Sequence, residues 1–355
     1  MRPFGMSKWT RRRFLAGTAR VAAGVSAATA AGCFPDVGGD WAKQRLDCEG
    51  GSLPPVTGPS RVVTALDDAA VTTDPVTHRN TIDAGVVRDM LDRVLVALAG
   101  GDAHPWPVLL PGCTSSTRIG LKVNCLNGNC STSVPVVSAL VASLRDGFAL
   151  PPEQIVVWDR RGDELARAGF TSESVGATVM GTVTSLDDSS GPGYEGAYCP
   201  VNGKTTRLSR ILTERTDITI NCPVLKTHDV SGVTGALKNV YGIIDNPGEF
   251  HNDLATALPA IYAMVPVHSG IRLTIVDALI AVTAGSTSSP PDAVPKRIFA
   301  SLDPLAADRY ALDLVNDVRA TSNPGKSPVD PASTTWLDNA RGLGLGALAY
   351  DLVSL

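Results

Sequence analysis

Three signatures that would announce a familiar chemistry are absent from the 355 residues. There is no C-x2-C-x2-C run, so a ferredoxin-type iron–sulfur cluster is not expected. There is no G-x-S-x-G nucleophile elbow, the main sign of the common serine-hydrolase arrangement. Gly342-Leu343-Gly344-Leu345-Gly346 is rich in glycine, but only nine residues follow it, too few for a dinucleotide-binding unit. Aromatic residues make up 5% and charged residues 19%, while apolar residues reach 44%. That composition excludes a disordered chain or a coiled coil. With 34 Gly and 25 Pro it predicts many loops around a sizeable core. The formal charge of −4 is uneven. Residues 1–32 hold six Lys/Arg and no acid, leaving 25 basic against 35 acidic residues beyond them, a net of −10. So acidic a body is a poor partner for nucleic acid or an anionic membrane surface.

Thr10-Arg11-Arg12-Arg13-Phe14-Leu15 resembles the twin-arginine export signal, S/T-R-R-x-F-L, at every position. The stretch Phe14 to Ala31 is too weakly apolar, and too broken by Arg20, for a membrane span. It reads as a targeting segment over residues 1–32. The resemblance implies the twin-arginine translocase as a partner, with Arg11 and Arg12 as the export signal. It also implies an exported protein of the periplasm or cell envelope, and such cargo crosses the membrane folded, often with a cofactor in place. Ala30-Ala31-Gly32-Cys33 is similar to a lipobox with Ala30 where Leu is usual. Lipidation of Cys33, the sole expected route to the membrane, and ordinary cleavage near the alanine run both stay open.

Removing Cys33 leaves Cys48, Cys113, Cys125, Cys130, Cys199 and Cys222, an even set in a compartment that permits disulfides. They allow three bridges in fifteen pairings, and the C-x4-C spacing of Cys125 and Cys130 suits a local loop staple.

After a Gly/Pro-rich tether over 33–60, residues 61–355 read as a single large α/β domain, a mostly parallel central sheet flanked by helices. Strands are expected at Arg61–Ala65, Ile119–Val123, Ile155–Trp158, Ile218–Cys222, Arg272–Val276 and Arg297–Ser301. Helices are expected at 82–99, from Ser133, over 233–241 and 254–264, and from Asp303, the last with Pro304 at its first position. Strand, helix, strand at this spacing argues parallel pairing with a right-handed crossover.

The stretch 221–251 carries the chemistry. Pro223 ends a regular ladder after Cys222, and ligands of open α/β sheets lie beyond strand carboxyl ends, where Lys226 and His228 fall. Gly232 and Gly235 permit close backbone approach, and a helix starting there would offer free N–H groups to an anion. Thr234 and Lys238 share a face of that helix. Two lysines, a histidine and a helix N-terminus form a positive site on an acidic protein, which predicts a small anionic ligand. Solvated lysines on a loop are the plainer alternative. His228, Asp229, His251 and Asp253, with Cys222 nearby, make a second possibility: a divalent metal held by His228 and His251. His78, His104 and His268 stand alone.

Gly120-Leu121-Lys122-Val123-Asn124, Asn221-x-Pro223-x-x-Lys226-x-His228 and Thr234-Gly235-x-x-Lys238-Asn239-x-x-Gly242 resemble the family of domains of unknown function number 362. So do Ile275-Val276-Asp277-Ala278 and Ser301-x-Asp303-Pro304-x-Ala306-x-Asp308, the whole spanning about 118–315. Val123 departs from the usual Pro, and the glycine-rich stretch after Asp277 shrinks to Ala284-Gly285. The resemblance implies a pocket in which Lys122, Asn124, Lys238, Asn239, Thr234 and Gly235 bind a ligand, with His228, Lys226 and Asp277 as catalytic candidates. His228 would move a proton. Asp277 would orient it or ligate a metal, or would simply cap a helix. Two functions follow: a redox or proton-transfer enzyme holding an anionic substrate or cofactor, or a non-catalytic lipoprotein that binds a small anionic solute or a divalent metal.

Overall fold

The structure is a computed structural model that describes residues 53–355 together with Cys48 and Gly50. The export motif with Arg11 and Arg12, and Cys33, lie outside the described residues.

The chain begins with β1 (Ser60–Leu66) and a small hairpin of β2 (Val71–Thr73) and β3 (Asn80–Ile82). Then come β4 (Ile119–Lys122), β5 (Ile155–Arg161) and β6 (Thr178–Val183), followed by a second hairpin of β7 (Cys199–Val201) and β8 (Lys204–Thr206). The remaining strands are β9 (Ile218–Asn221), β10 (Val224–His228), β11 (Gly232–Thr234), β12 (Ile271–Val282), β13 (Arg297–Ser301) and β14 (Tyr350–Ser354).

Ten of these strands make one sheet: eight run in the order β14-β1-β13-β12-β9-β4-β5-β6, while β10, paired with β12, and β11, paired with β10, lie off that path. Its centre, from β12 through β9, β4 and β5 to β6, is parallel, and β13 is antiparallel to both neighbours. All four residues of β4 are buried, as a strand covered on both faces requires. Side chains alternate between two apolar cores. On β5, Ile155 and Val157 face one, Val156 and Trp158 the other. This is the mostly parallel α/β sheet expected from the strand–helix–strand spacing.

The expected helices sit against it. Ala84–Leu98 buries Val87, Met90, Leu91, Val94 and Leu98 and is capped by Asp83 Oδ1, which accepts from the N–H groups of Gly85 (2.9 Å) and Val86 (3.0 Å). Asp303 caps Pro304–Ser322 in the same way, accepting from Leu305 and Ala306 at 2.8 and 3.0 Å. Among the described residues no helix is long and apolar enough to cross a membrane.

Three expectations change. The strand that begins at Ile271 runs on to Val282, because β12 acquires a second parallel partner. Past Asn221 the chain jogs at Cys222-Pro223 and continues as β10, which pairs with β12 from Asp277 onward. The helix expected over 233–241 is replaced by a hairpin, since Gly232 (φ 72°) turns the chain back so that Lys226 pairs with Thr234. Only the short Ala236–Asn239 helix and a 3-10 turn, Val240–Ile243, follow. Thirdly, the cysteines make one described bridge, Cys48–Cys199, which anchors the tether across 151 residues of sequence. Leu53 N–H, donating to the Leu343 carbonyl at 2.9 Å, holds the next part of it. Cys125 and Cys130 do not staple their loop. Both are buried free thiols, as is Cys222, and Cys113 is also free. Cys125 lies in one of the cores, whereas Cys130 packs against Val224 and Val282, so burial rather than cross-linking accounts for them.

Asp277 ties β12 to the helix Val134–Phe148. Its Oδ2 accepts from Ser133 N–H (2.8 Å) and Ser133 Oγ–H (2.6 Å), while Oδ1 accepts from Leu279 N–H (3.0 Å). Asp277→Ala would orphan one buried and one half-buried backbone donor and is expected to cost about 2–3 kcal/mol in urea unfolding. An unchanged urea midpoint would remove this capping role.

Candidate functional site

The carboxyl ends of β4, β5 and β10 open into a cavity of about 380 Å³, the position expected for a ligand of an open α/β sheet. Lys122, Asn124, Lys226, His228, Thr234, Lys238, Asn239 and His251 all line it. Residues from five segments spread over 130 positions of sequence are thereby brought to one place. Asp159, Arg160, Arg161, Glu164, Tyr241 and Gly242 line it too.

The floor is a buried ion pair. Lys122, 1% exposed, donates from Nζ to Asp159 Oδ1 at 2.7 Å and to the Val123 carbonyl at 2.6 Å. Asp159 Oδ2 accepts from Cys125 N–H at 2.6 Å, and Oδ1 also accepts from Arg160 N–H at 2.7 Å. Charge removed from water needs such complete pairing. Gly242 is part of the fit, since a Cβ there would lie 2.7 Å from Lys122 Nζ.

An amide relay rises from that floor. Asn239 Nδ2 donates to the Lys122 carbonyl (3.1 Å) and to Asn221 Oδ1 (2.8 Å), which leaves its Oδ1 to accept from Asn124 Nδ2 at 3.1 Å. Asn124 Oδ1 then accepts from Lys226 Nζ at 2.7 Å. An ammonium only donates, so Lys226 sets the orientation of Asn124, and the relay has a single direction.

Two cations stand above the relay without a carboxylate. Lys226 is fully buried, and among the described residues it donates, beyond Asn124, only to the Cys130 carbonyl, at 3.4 Å. Lys238 is 8% exposed, lies 4.1 Å over the centre of the Tyr241 ring, and makes no hydrogen bond or ion pair among the described residues. Burial lowers the Lys226 ammonium from its ordinary value, and burial with neighbouring Lys226 pushes Lys238 down to about 7. Arg160 adds a third charge. Its guanidinium donates to the Asp245 carbonyl at 2.8 Å and to the Tyr194 hydroxyl at 3.4 Å. Arg161, by contrast, is spent on Asp163 and Glu164.

The two histidines stack, ring centres 5.7 Å apart and planes at 25°, with Tyr241 edge-on to His251 at 5.8 Å. Their tautomers are opposite. His228 Nδ1 accepts from the N–H groups of Val230 (3.1 Å) and Ser231 (3.2 Å), so its proton sits on Nε2. His251 Nδ1 lies 2.9 Å from the Pro247 carbonyl and must donate to it, so His251 Nε2 keeps a free lone pair. Burial, then Lys238, His251 and Lys226, push His228 down to about 3. Burial and Lys238 lower His251 as well. His228, the expected proton-transfer group, is therefore a neutral hydrogen-bond donor, and the basic nitrogen belongs to His251.

Two expected site residues lie elsewhere. Asp277 caps the Val134–Phe148 helix, the structural alternative, and burial raises its carboxyl from the ordinary value. Gly235 faces Asp308, where a Cβ would collide with Oδ1. The fully buried Asp308 carboxylate accepts from Ala236 N–H and, at 2.9 Å, from Leu237 N–H. The helix N-terminus expected to greet a ligand anion is already filled by the protein's own.

The metal set does not assemble. His228 and His251 meet, but His228 Nε2 bears its proton, Asp253 is paired with Lys204, and Cys222 is sealed in the opposite core. Among the described residues no three of His, Cys, Asp and Glu are grouped to hold a metal ion. A wall with three cations besides Lys122 does not fit one either.

Asp159, Arg160 and Tyr241 were not singled out from sequence. The available signal was Asp159 closing a parallel strand beside Lys122. The pairing itself becomes visible only when β4 and β5 align with Lys122 opposite Trp158.

A family model described as "Domain of unknown function (DUF362)" matches residues 119–313, more than half the chain. No curated protein matches. Among solved structures, the chain is similar to a crystal structure of a protein from Thermotoga maritima at 13% identity with a TM-score of 0.40. The match covers 68% of this chain and 59% of that one.

Nitrogen-15 NMR of the histidine rings checks the tautomers. We expect His228 to carry its proton on Nε2 and to stay neutral down to about pH 4, and His251 to carry its proton on Nδ1. A His228 ring that titrates near its ordinary value would contradict this geometry.

Proposed function

The chain belongs to the family of domains of unknown function 362, so its chemistry has to come from the cavity, and we propose that the cavity binds a small anionic ligand. One observation carries the reading. Among the described residues, Lys238 is nine-tenths buried and faces the cavity with no hydrogen bond or ion pair, beside a second buried cation, Lys226, whose only hydrogen-bond acceptors there are uncharged. Buried ammonium groups are normally paired, because desolvation costs several kcal/mol per ion. An anion at Lys226 and Lys238, within reach of Arg160 and the His228 Nε2–H, would supply the missing counter-charge. A cavity of about 380 Å³ suits a small metabolite rather than a polymer.

The enzymatic alternative has its own support in the free Nε2 of His251, a base beside the anion. The reading also places the mature protein outside the cytoplasm. The Thr10–Leu15 motif and the Cys48–Cys199 bridge support that, since disulfides persist in oxidising compartments. Replacing Arg11 and Arg12 by Lys should leave full-length precursor in the cytoplasm, read by fractionation. Undiminished export would discard the twin-arginine route.

Anion binding should be linked to protons. In the free protein Lys238 titrates near 7, and a bound anion raises that value. Above pH 7 each anion then brings a proton with it, and affinity falls by up to about tenfold per pH unit until the bound-state value is reached. Below pH 7 the dependence disappears. Calorimetry with sulfate and malonate, in buffers of different ionisation enthalpy, reads both quantities. Lys226→Met and Lys238→Met should each weaken binding by about 10- to 100-fold. No heat at millimolar anion, or affinity that ignores pH from 7 to 9, would refute the proposal.

A further inference from the structure

Lys238 is placed for more than charge. Its amine is nine-tenths buried, lies against the face of Tyr241 and is free of hydrogen bonds among the described residues. Any lone pair it exposes is open to the cavity. Lys226 stands nearby as a second cation that the Asn124 side chain holds in place. His251, whose ring meets the same Tyr241 at 5.8 Å, turns an unprotonated Nε2 to its surroundings. A desolvated amine beside another cation and a base is the arrangement that makes a lysine nucleophilic toward carbonyl carbon.

We infer that Lys238 is a carbonyl-reactive amine and that the cavity accepts a small oxo acid, whose carboxylate rests on Lys226 while its carbonyl carbon meets Lys238 Nζ. The inference depends on the anion reading above, because the carboxylate is what orients the carbonyl. Balance is simple. The Nζ lone pair forms the new C–N bond, and the carbonyl π pair moves to oxygen. His251 Nε2 carries one amine proton to the alkoxide, which gives the neutral carbinolamine, and then carries the second to its hydroxyl. That oxygen departs as water, leaving the imine. One amine and one carbonyl give one imine and one water, with no oxidant or reductant. Before the carboxylate seats, the depressed value of Lys238 leaves much of the amine neutral at pH 7, where an ordinary lysine is almost wholly protonated.

Trapping tests it on the intact protein. Pyruvate and sodium borohydride are added together at neutral pH, and the reduced adduct is located by peptide mass spectrometry. The expected result is one adduct on Lys238, formed about tenfold or more above that on solvent-facing Lys326, and suppressed by malonate. Lys326→Arg should keep both malonate binding and the adduct, and Lys238→Arg should lose the adduct. The unmodified chain alone already decides the matter if that variant does not fold. Malonate binding without an adduct on Lys238 would overturn the carbonyl chemistry and leave the anion site standing. Absence of both would remove the two readings together. An adduct that malonate does not suppress would sever the amine from the proposed carboxylate seat and so overturn the inference.

Discussion

The Lys122–Asp159 pair is the constraint from which the cavity is built. Neither charge could stay in this interior alone, because an orphaned buried ion costs several kcal/mol. The pair therefore holds the ends of β4 and β5 in register and draws in Cys125 N–H and Arg160 N–H. It also sets the next layer. The Lys122 carbonyl and ammonium together leave Asn239 one orientation, Asn239 leaves Asn124 one, and Asn124 presents its oxygen to Lys226. Order passes upward by the donor and acceptor inventory alone. Lys238 stands outside this chain of obligations among the described residues, which is why the proposed reading gives it the ligand.

Topology explains why the positive wall faces a cavity and not solvent. A continuous β9 would have carried Lys226 onward beside β4. The jog at Cys222-Pro223 instead passes the chain to the second half of β12, and the Gly232 turn folds it back on itself. Lys226 is thereby sunk between strand ends and fully buried. The short helix that follows spends its first N–H groups on Asp308, and burial pushes that carboxyl up to about 7. The positive groups left facing the cavity are side chains, which titrate, and not backbone dipoles, which do not. The proton linkage of the proposed anion binding rests on that substitution.

Much of the fold was legible because its signals are local. Apolar runs of strand length, the Asp83 and Asp303 caps and the Pro304 start all depend on near neighbours in sequence. Most of the candidate site was legible too, since Lys122, Asn124, Lys226, His228, Thr234, Lys238 and Asn239 fall within a few residues of strand ends, while His251 lies apart from them in the turn Pro247–Asp253. What stayed hidden is relational. Asp277 has the sequence setting of a catalytic strand-end acid, yet Ser133, 144 residues away, claims it as a cap. His228 looks like a base until Val230 and Ser231 N–H occupy its basic nitrogen. Six cysteines allow fifteen pairings, and burial of Cys125, Cys130 and Cys222 is what removes three of them from the count.

Sequence by itself determined the class of sheet, the positions of its principal helices and the polar residues that have no place in an apolar core unless they serve a site. Hydrophobic periodicity and capping chemistry act over a few residues and so can be read along the chain. Tertiary structure alone decided which charges are neutralised, which histidine keeps a lone pair and which lysine is unpaired. Those properties belong to pairs of groups drawn from distant strands, and a buried charge takes its character from whatever the fold sets within about 4 Å of it.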